Sequence, residues 1–211
     1  MPDLLHTAPF RLGTHGAADL PRSIVEGTGR TGRDVRWVRY GLEDPFRGLR
    51  DGDMDLMIAK YELREPDLRS SGPVAWDARA VVLGEGHPLA GRDQVGLEEL
   101  AEFDAFCCPE GFPAYVWDRV VPPRTPKGTA IRRVHRMKSV SDMVELLRTT
   151  NTVHLSFASL ACAVPSDVRV VPIADLSPAP VVLCWSAKRA LPEAAAAFVV
   201  DAELAVLAHA R

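Results

Sequence analysis

The chain has 211 residues and a formal net charge of −3, with 47% hydrophobic and 25% charged residues. This composition is typical of a globular protein, and the length favours two lobes over one core. The small net charge provides no basic field, so we expect no direct nucleic-acid binding. No apolar run approaches the roughly 20 residues of a membrane helix, and residues 1–10 lack a secretory signal. We therefore expect a cytoplasmic protein with no membrane partner.

Strand-like and helix-like segments alternate through the first part of the chain. The apolar run at 56–59 is bounded by charge, which is typical of a strand covered on both faces. Asp44 and Pro45 suit the cap and first turn of a short helix that ends at Leu49. The predicted strands are 10–13, 35–40, 56–59 and 78–83, and the predicted helices are 19–27 and 45–49.

The second part of the chain repeats this alternation. Ser139, Ser141 and Asp142 follow a cationic strand and are suited to cap the amphipathic helix at 143–149. The further predicted strands are 105–108, 132–138, 152–157, 168–173 and 181–186, and the further helices are 97–101, 113–120, 159–163 and 192–208. Such alternation predicts an α/β fold with a largely parallel sheet.

Two segments couple an extended apolar run to a break that is rich in glycine or proline. These segments, 82–88 and 176–183, are predicted to carry the chain from one lobe to the other and back. The first lobe would then comprise residues 10–83 plus 183–211, and the second lobe residues 84–182. We expect a ligand cleft between the lobes.

Two motifs give this pattern a family resemblance. Gly52-Asp53-Met54-Asp55-Leu56-Met57-Ile58 ends a helix and enters a buried strand, and Leu83-Gly84-Glu85-Gly86-His87-Pro88-Leu89-Ala90 turns from a strand toward an acidic helix. With the first strand and the last strand and helix, their order resembles the effector-binding (substrate-binding) domain of LysR-type transcriptional regulators. The resemblance implies two Rossmann-like lobes joined by two crossover strands, as in type II periplasmic binding proteins.

The same resemblance implies a function. The chain would be a transcription-regulating sensor that binds a small-molecule effector and forms a homodimer, with helix 19–27 and strand 35–40 meeting the partner's second lobe. Only nine residues precede the first strand, so we expect this chain to lack the winged helix-turn-helix of such regulators, through which DNA contact would be made. The chain would then be either an excised domain or a free-standing sensor. Thr149-Thr150-Asn151-Thr152 also replaces the family's usual glycine pair.

Candidate effector contacts lie where strand ends and helix N-termini would face the cleft. Backbone N–H groups and the helix dipole favour carboxylates at such places, so a small organic acid is the expected ligand. The candidate residues are Thr14, His15, Gly16, Lys60, Glu110, Phe112, Ser139, Val140, Ser141, Ser156 and Phe157.

Several of these residues have a plainer interpretation. Thr14 could cap the first helix, and Ser139 and Ser141 suit capping as well. His15 could be a loop residue without a partner, and Lys60 could be solvated beyond its strand. Glu110 argues against a purely anionic ligand. Trp37 and Tyr40 could mark a pairing surface or a half-buried strand.

We predict no catalytic residues, metal ligands or cofactor, because no nucleophile elbow, zinc motif or phosphate loop is present. The alternative is a cytoplasmic enzyme on the same two-lobe fold acting on a small organic acid. A transporter's solute-binding protein is disfavoured by the missing signal. Cys107 and Cys108 could sense oxidants, or they could be a reduced pair lining a loop.

Overall fold

A computed structural model describes residues 9–137 and 139–209 and consists of two compact units. The first unit contains the chain up to Trp76 and again from Pro180, and the second spans Asp77–Ala179. The strands are β1 (Phe10–Thr14), β2 (Val35–Arg39), β3 (Leu56–Lys60), β4 (Leu68–Asp77), β5 (Arg79–Gly84), β6 (Asp104–Phe106), β7 (Arg132–His135), β8 (His154–Phe157), β9 (Val168–Pro172) and β10 (Ala179–Ser186). The helices are α1 (Asp19–Gly27), α2 (Arg47–Asp51), α3 (Leu97–Leu100), α4 (Ala114–Val120), α5 (Val140–Thr149) and α6 (Glu193–His209), with a 3₁₀ helix at Ala158–Cys162.

The first unit is built on a mixed five-stranded sheet in the order β2-β1-β3-β10-β4. Strands β2, β1 and β3 are parallel, and β10 runs antiparallel to β3. On one face α1 and α6 complete an apolar core in which the rings of Phe10 and Phe198 lie 4.9 Å apart. On the other face, Leu49 of α2 packs with Met57 and Cys184.

An ion pair joins the amino ends of β1 and β3. The Arg11 guanidinium donates to both carboxylate oxygens of Asp55, at 2.6 and 3.1 Å, and the Arg11 backbone N–H donates to the same group at 2.7 Å. Burial of Asp55 opposes its ionisation, but these hydrogen bonds outweigh it and lower the pKa of the carboxyl group. Asp55 therefore fixes the entrance to β3 and serves a structural role.

The second unit repeats this arrangement with different strands. Strands β6 and β7 are parallel, and a parallel bridge from Ala105 to Val153 joins β6 to the start of β8. Strand β5 is antiparallel to both β8 and β9. The succession of strands is therefore β7-β6-β8-β5-β9, in which β5 occupies the position that β10 has in the first unit.

The motif around His87 is a structural turn. The His87 Nδ1 accepts the backbone N–H of Leu89 at 3.1 Å, and its Nε2 lies 3.2 Å from the Asn151 carbonyl oxygen. Because Nδ1 accepts, Nε2 carries the proton and donates to Asn151. The ring also packs against Phe103, with the centroids 4.5 Å apart. The imidazole thus ties the turn after β5 to the segment before β8.

The predicted α/β class is confirmed, and three details differ from the predictions. The sheets are mixed, because β5 and β10 run against their neighbours. Strand β4 was not predicted, since its sequence is polar and contains Gly72-Pro73; it lies at a sheet edge, where proline is tolerated. Helix α2 begins at Arg47 after Phe46, which makes no side-chain cap, so the predicted Asp44 cap is wrong. Lys138, the last residue of the strand predicted at 132–138, lies outside the described residues.

The boundaries of the two units differ from those expected for the lobes. The chain enters the second unit at Trp76–Asp77 and leaves it at Ala179–Pro180. Residues 77–83 belong to the second unit because β5 pairs along its length with β8 and β9. The expected ligand cleft stays a prediction.

Candidate functional site

The first unit gathers its predicted site residues at the carboxyl ends of two adjacent strands. Thr14 is the last residue of β1 and Lys60 the last residue of β3, and these strands are parallel neighbours. Gly16 follows in the turn to α1 with a φ of 74°, a backbone conformation that favours glycine. Thr14 does not cap α1, because the N-cap residue is Ala18 and it makes no side-chain hydrogen bond.

His15 has a fixed position that the sequence did not reveal. Its Nδ1 lies 3.0 Å from the carbonyl oxygen of Tyr40, and the two rings are 5.6 Å apart. The Tyr40 hydroxyl in turn donates to the carbonyl oxygen of Ile58 at 2.8 Å. Burial raises the pKa of this phenol, so it stays protonated and can keep donating. Tyr40 therefore links β2, β3 and the His15 loop at this edge of the sheet.

The residue after Lys60 is also unusual. Tyr61 is buried and has a φ of 66°, which is uncommon for a residue other than glycine. Its backbone N–H donates to the carbonyl oxygen of Pro180 at 2.8 Å. This contact fixes the chain where β3 ends, so Lys60 projects from a constrained segment of backbone.

In the second unit, Glu110 and Phe112 lie in the loop between β6 and α4. The thiol of Cys108 donates to the Phe112 carbonyl oxygen at 3.4 Å, and the Phe112 ring packs edge-on to Trp117 at 6.1 Å. Burial raises the pKa of the Cys108 thiol, against the opposing charge of Arg133. A protonated, hydrogen-bonded thiol favours the interpretation of this residue as part of a reduced loop.

Ser156 and Phe157 end β8, and a buried arginine supports both. The Arg79 guanidinium donates to the Ser156 carbonyl oxygen at 3.1 Å and lies over the Phe157 ring, 5.0 Å from its centroid. The same group donates to the carbonyl oxygens of Arg119, at 2.9 Å, and Val120. Sequence reasoning missed Arg79, because nothing local distinguishes it from a surface arginine at the start of a strand.

The N-terminus of α5 carries the remaining candidates. The Ser139 hydroxyl accepts the backbone N–H of Asp142 at 3.0 Å, so its predicted capping role is confirmed. Val140 and Ser141 are exposed in the first turn, and the Val140 side chain is 66% exposed. Asp142 places a carboxylate in the same turn, where it competes with an external anion for the helix dipole.

The structure thus places Thr14, His15, Gly16 and Lys60 around the ends of β1 and β3 in the first unit. The other candidates are distributed over three segments of the second unit: the β6–α4 loop, the end of β8 and the start of α5. Within the described residues, no set of three His, Cys, Asp or Glu side chains is arranged to hold a metal ion. No helix in the described ranges is long and apolar enough to span a membrane.

Residues 34–200, most of the chain, match the LysR substrate binding domain family. The chain belongs to this family. The match confirms the resemblance drawn from the glycine and His-Pro-Leu-Ala motifs, and with it the type II periplasmic-binding-protein fold. Members of the family are sensing domains of transcriptional regulators. No curated protein matches the sequence significantly.

Solved structures of LysR family proteins share the fold. HinK, a LysR family transcriptional regulator from Pseudomonas aeruginosa, is 16% identical with a TM-score of 0.65, over 96% of this chain and 71% of its own. A Corynebacterium glutamicum OxyR mutant is 19% identical with a TM-score of 0.69, over 95% and 64%. The effector binding domain of QuiR in complex with shikimate is 19% identical with a TM-score of 0.68, over 92% and 95%.

Proposed function

We propose that this LysR-type domain binds a small organic acid as its effector and controls transcription through the geometry of a dimer in the cytoplasm. The family match over residues 34–200 carries this proposal, because it assigns the chain to domains that sense ligands. The binding of shikimate, a hydroxylated carboxylic acid, by the effector binding domain of QuiR supports the ligand class.

The chemistry at the strand ends supports the same class. Lys60 and His15 offer a cation and an imidazole in the first unit, and Ser141 and Ser156 offer hydroxyl groups in the second. The N-terminus of α5 adds a helix dipole that favours carboxylate oxygens. Glu110 would select ligands that also carry a hydrogen-bond donor such as a hydroxyl group. A hydroxylated acid offers the chemistry that these groups bind, with a carboxylate for the donors and hydroxyl groups for Glu110.

The mechanism that we propose is a population shift. An effector changes the output only if it binds one conformation of the domain more tightly than another. The ligand is returned unchanged in this mechanism, whereas the alternative enzyme would convert it. Chromatography of the ligand after prolonged incubation with the protein separates the two functions.

The dimer that we propose uses α1 and β2 of the first unit against the second unit of the partner. Strand β2 lies at the edge of its sheet and exposes Arg36, Trp37 and Arg39. An aromatic side chain between arginines is typical of a protein interface. Light scattering of the wild type and of Trp37→Asp tests this surface, with loss of the dimer expected in the variant. A wild-type monomer at all concentrations would refute the dimer.

A thermal-shift screen tests effector binding. Shikimate and other hydroxylated, aliphatic and aromatic acids are each added to the full chain, and a ligand at 100 times its Kd should contribute about 2.7 kcal/mol to stability. Ser141→Ala and Lys60→Gln should weaken the response to the active acid. Arg47→Gln is the control, because this exposed arginine of α2 lies outside the effector candidates and the proposed dimer surface. The proposal fails if no acid raises the melting temperature, or if both site variants respond like the wild type.

A further inference from the structure

A second feature of the first unit lies away from the candidate effector residues. The end of β10 and the segment before α6 border an open cavity of about 360 Å³, which Arg69, Trp185, Ser186, Lys188 and Leu191 help to line. Strand β10 runs antiparallel to β3, so Val181 is opposite Lys60 and Cys184 is opposite Met57. The cavity therefore lies near the amino end of β3, whereas Thr14 and Lys60 lie at the carboxyl ends of β1 and β3.

Three cationic side chains border this cavity, and their charges are engaged to different degrees. Arg189 donates to the carbonyl oxygens of Arg50, at 3.0 Å, and Leu49 at the end of α2. Lys188 is close enough to contribute to the lowered pKa of Asp67, but the main cause is the hydrogen bond from Arg50. Arg69 makes no hydrogen bond or ion pair in the part of the chain that the structure describes. Two cations, Arg69 and Lys188, are thus available to an anion.

The rest of the lining favours a ligand with a flat ring. Trp185 and Leu191 are partly buried against the apolar core, and both border the cavity. The buried Ser186 hydroxyl accepts the Lys188 backbone N–H at 3.3 Å, so its own proton remains to donate. A cavity volume of about 360 Å³ lies in the range of small-ligand sites, which join apolar walls to a few polar groups.

We propose that this cavity is a second ligand site, which binds a small aromatic carboxylate. The carboxylate pairs with Arg69 and Lys188, and the ring packs on Trp185. A cation pair without a carboxylate partner in the cavity selects a negative charge, and the indole selects an aromatic ring over an aliphatic chain. The site is independent of the effector residues, since it shares none of them.

Titration of the ¹⁵N-labelled full chain with benzoate tests the proposal by NMR. The indole N–H resonance of Trp185 is assigned from its loss in Trp185→Phe, and we expect benzoate to shift it saturably. Benzamide, which has the ring without the charge, should shift it little. The double variant Arg69→Gln/Lys188→Gln should weaken benzoate binding at this resonance by roughly tenfold or more, because it removes both charged partners.

Arg47→Gln is the matched control, since it removes an exposed arginine of α2 that does not border the cavity and should leave the benzoate response unchanged. Unchanged resonances elsewhere in the double variant show that it folds. The proposal is overturned if benzoate leaves the Trp185 resonance in place, if benzamide binds equally well, or if the double variant binds benzoate like the wild type. These outcomes leave effector binding at Lys60 and Ser141 untouched.

Discussion

The two units of this chain share one succession of strands but bury different side chains in it. In each unit an antiparallel strand pairs with the last residue of a central parallel strand: Val181 is opposite Lys60, and Arg79 is opposite Phe157. The same register sets Met57 against Cys184 and His154 against Val82. Equivalent positions thus hold valine and methionine in the first unit, but arginine and histidine in the second.

This contrast extends through the interior of both units. The described residues include eight buried polar or charged side chains, and seven of them, all except Ser186, lie in the second unit. The seven are Asp77, Arg79, His87, Thr125, Thr152, His154 and Ser156. Backbone pairing therefore fixes the topology without fixing the polarity of the interior. The second unit should respond more strongly than the first to loss of single polar contacts and to pH.

The largest effect should come from Arg79→Leu. The substitution leaves the carbonyl oxygens of Ser156, Arg119 and Val120 without their charged donor, and we expect a loss of about 3–5 kcal/mol in the free energy of unfolding. Urea denaturation measures the loss, and hydrogen exchange should show it within residues 77–179. Arg47→Leu, at an exposed site on α2 outside the proposed dimer surface, should change stability by no more than about 0.5 kcal/mol. Equal losses of unfolding free energy in the two variants would contradict the expectation that the second unit depends on its buried polar contacts.

Acidification should destabilise the second unit through His154. Burial lowers the pKa of this imidazole to about 4, and its Nδ1 has no hydrogen-bond partner among residues 9–137 and 139–209. Because the unfolded chain binds the proton near pH 6.5 and the folded chain does not, stability is full above 6.5 and falls toward pH 4. At about 1.4 kcal/mol per pKa unit, the loss approaches 3 kcal/mol.

His154→Leu tests this assignment, because a leucine side chain can fill the same buried site but cannot bind a proton. Urea denaturation at pH 7.5, 6, 5 and 4.5 should show a shallower pH slope in the variant. A smaller slope should remain, because burial also lowers the pKa of His87. A slope identical to that of the wild type would mean that His154 does not cause the acid sensitivity.

Gly84→Ala should show how closely α5 packs on β5. A Cβ atom at Gly84 would collide with the backbone of Leu147 near the end of α5, whereas the equivalent register position in the first unit is Ser186. We expect a loss of about 2 kcal/mol, typical of overpacking. Gly86→Ala is the matched control, because nothing lies within 4 Å of its Cβ position. If both glycine variants melt at the same temperature, the close approach is not rigid.

The smallest effect should come from the cap of α5. Ser139→Ala removes the acceptor for the Asp142 N–H and should cost about 1 kcal/mol. Ser141→Ala removes an exposed hydroxyl two residues onward and should change stability by only a few tenths of a kcal/mol. Thermal unfolding of the two variants without effector compares them. A larger loss in Ser141→Ala would assign the cap to the wrong serine.

Much of the fold could be predicted because the central strands are continuous apolar runs and the helices have local capping signals. Ser139 shows this, since one serine before an amphipathic segment marks the start of α5. Strand β4 could not be found in the same way, because an edge strand with Gly72-Pro73 lacks a clear alternation. The direction of β5 and β10 depends on pairing with distant strands, which no local pattern reports.

The candidate site was predictable only in part for the same reason. Thr14, Lys60 and Ser156 follow or end strands, so their position at a sheet edge can be inferred from the sequence. The contacts that hold this region in place cannot be inferred from the sequence, because they join segments far apart in the chain. Examples are the contact of His15 with Tyr40 and the contacts of Arg79 with Arg119 and Val120. The cavity beside Trp185 could not be predicted either, because it forms only where Arg69 of β4 lies near the end of β10.

The division of the first unit into two separated stretches bears on biosynthesis. Residues 77–179 are contiguous and leave the ribosome before β10 and α6 exist, so the second unit has all its strands while the first still lacks its antiparallel strand and terminal helix. Phe10 is made long before Phe198, so their ring contact can form only after α6 has been made. We expect nascent chains halted before Pro180 to protect the later-made half from protease while the earlier-made half stays open to cleavage.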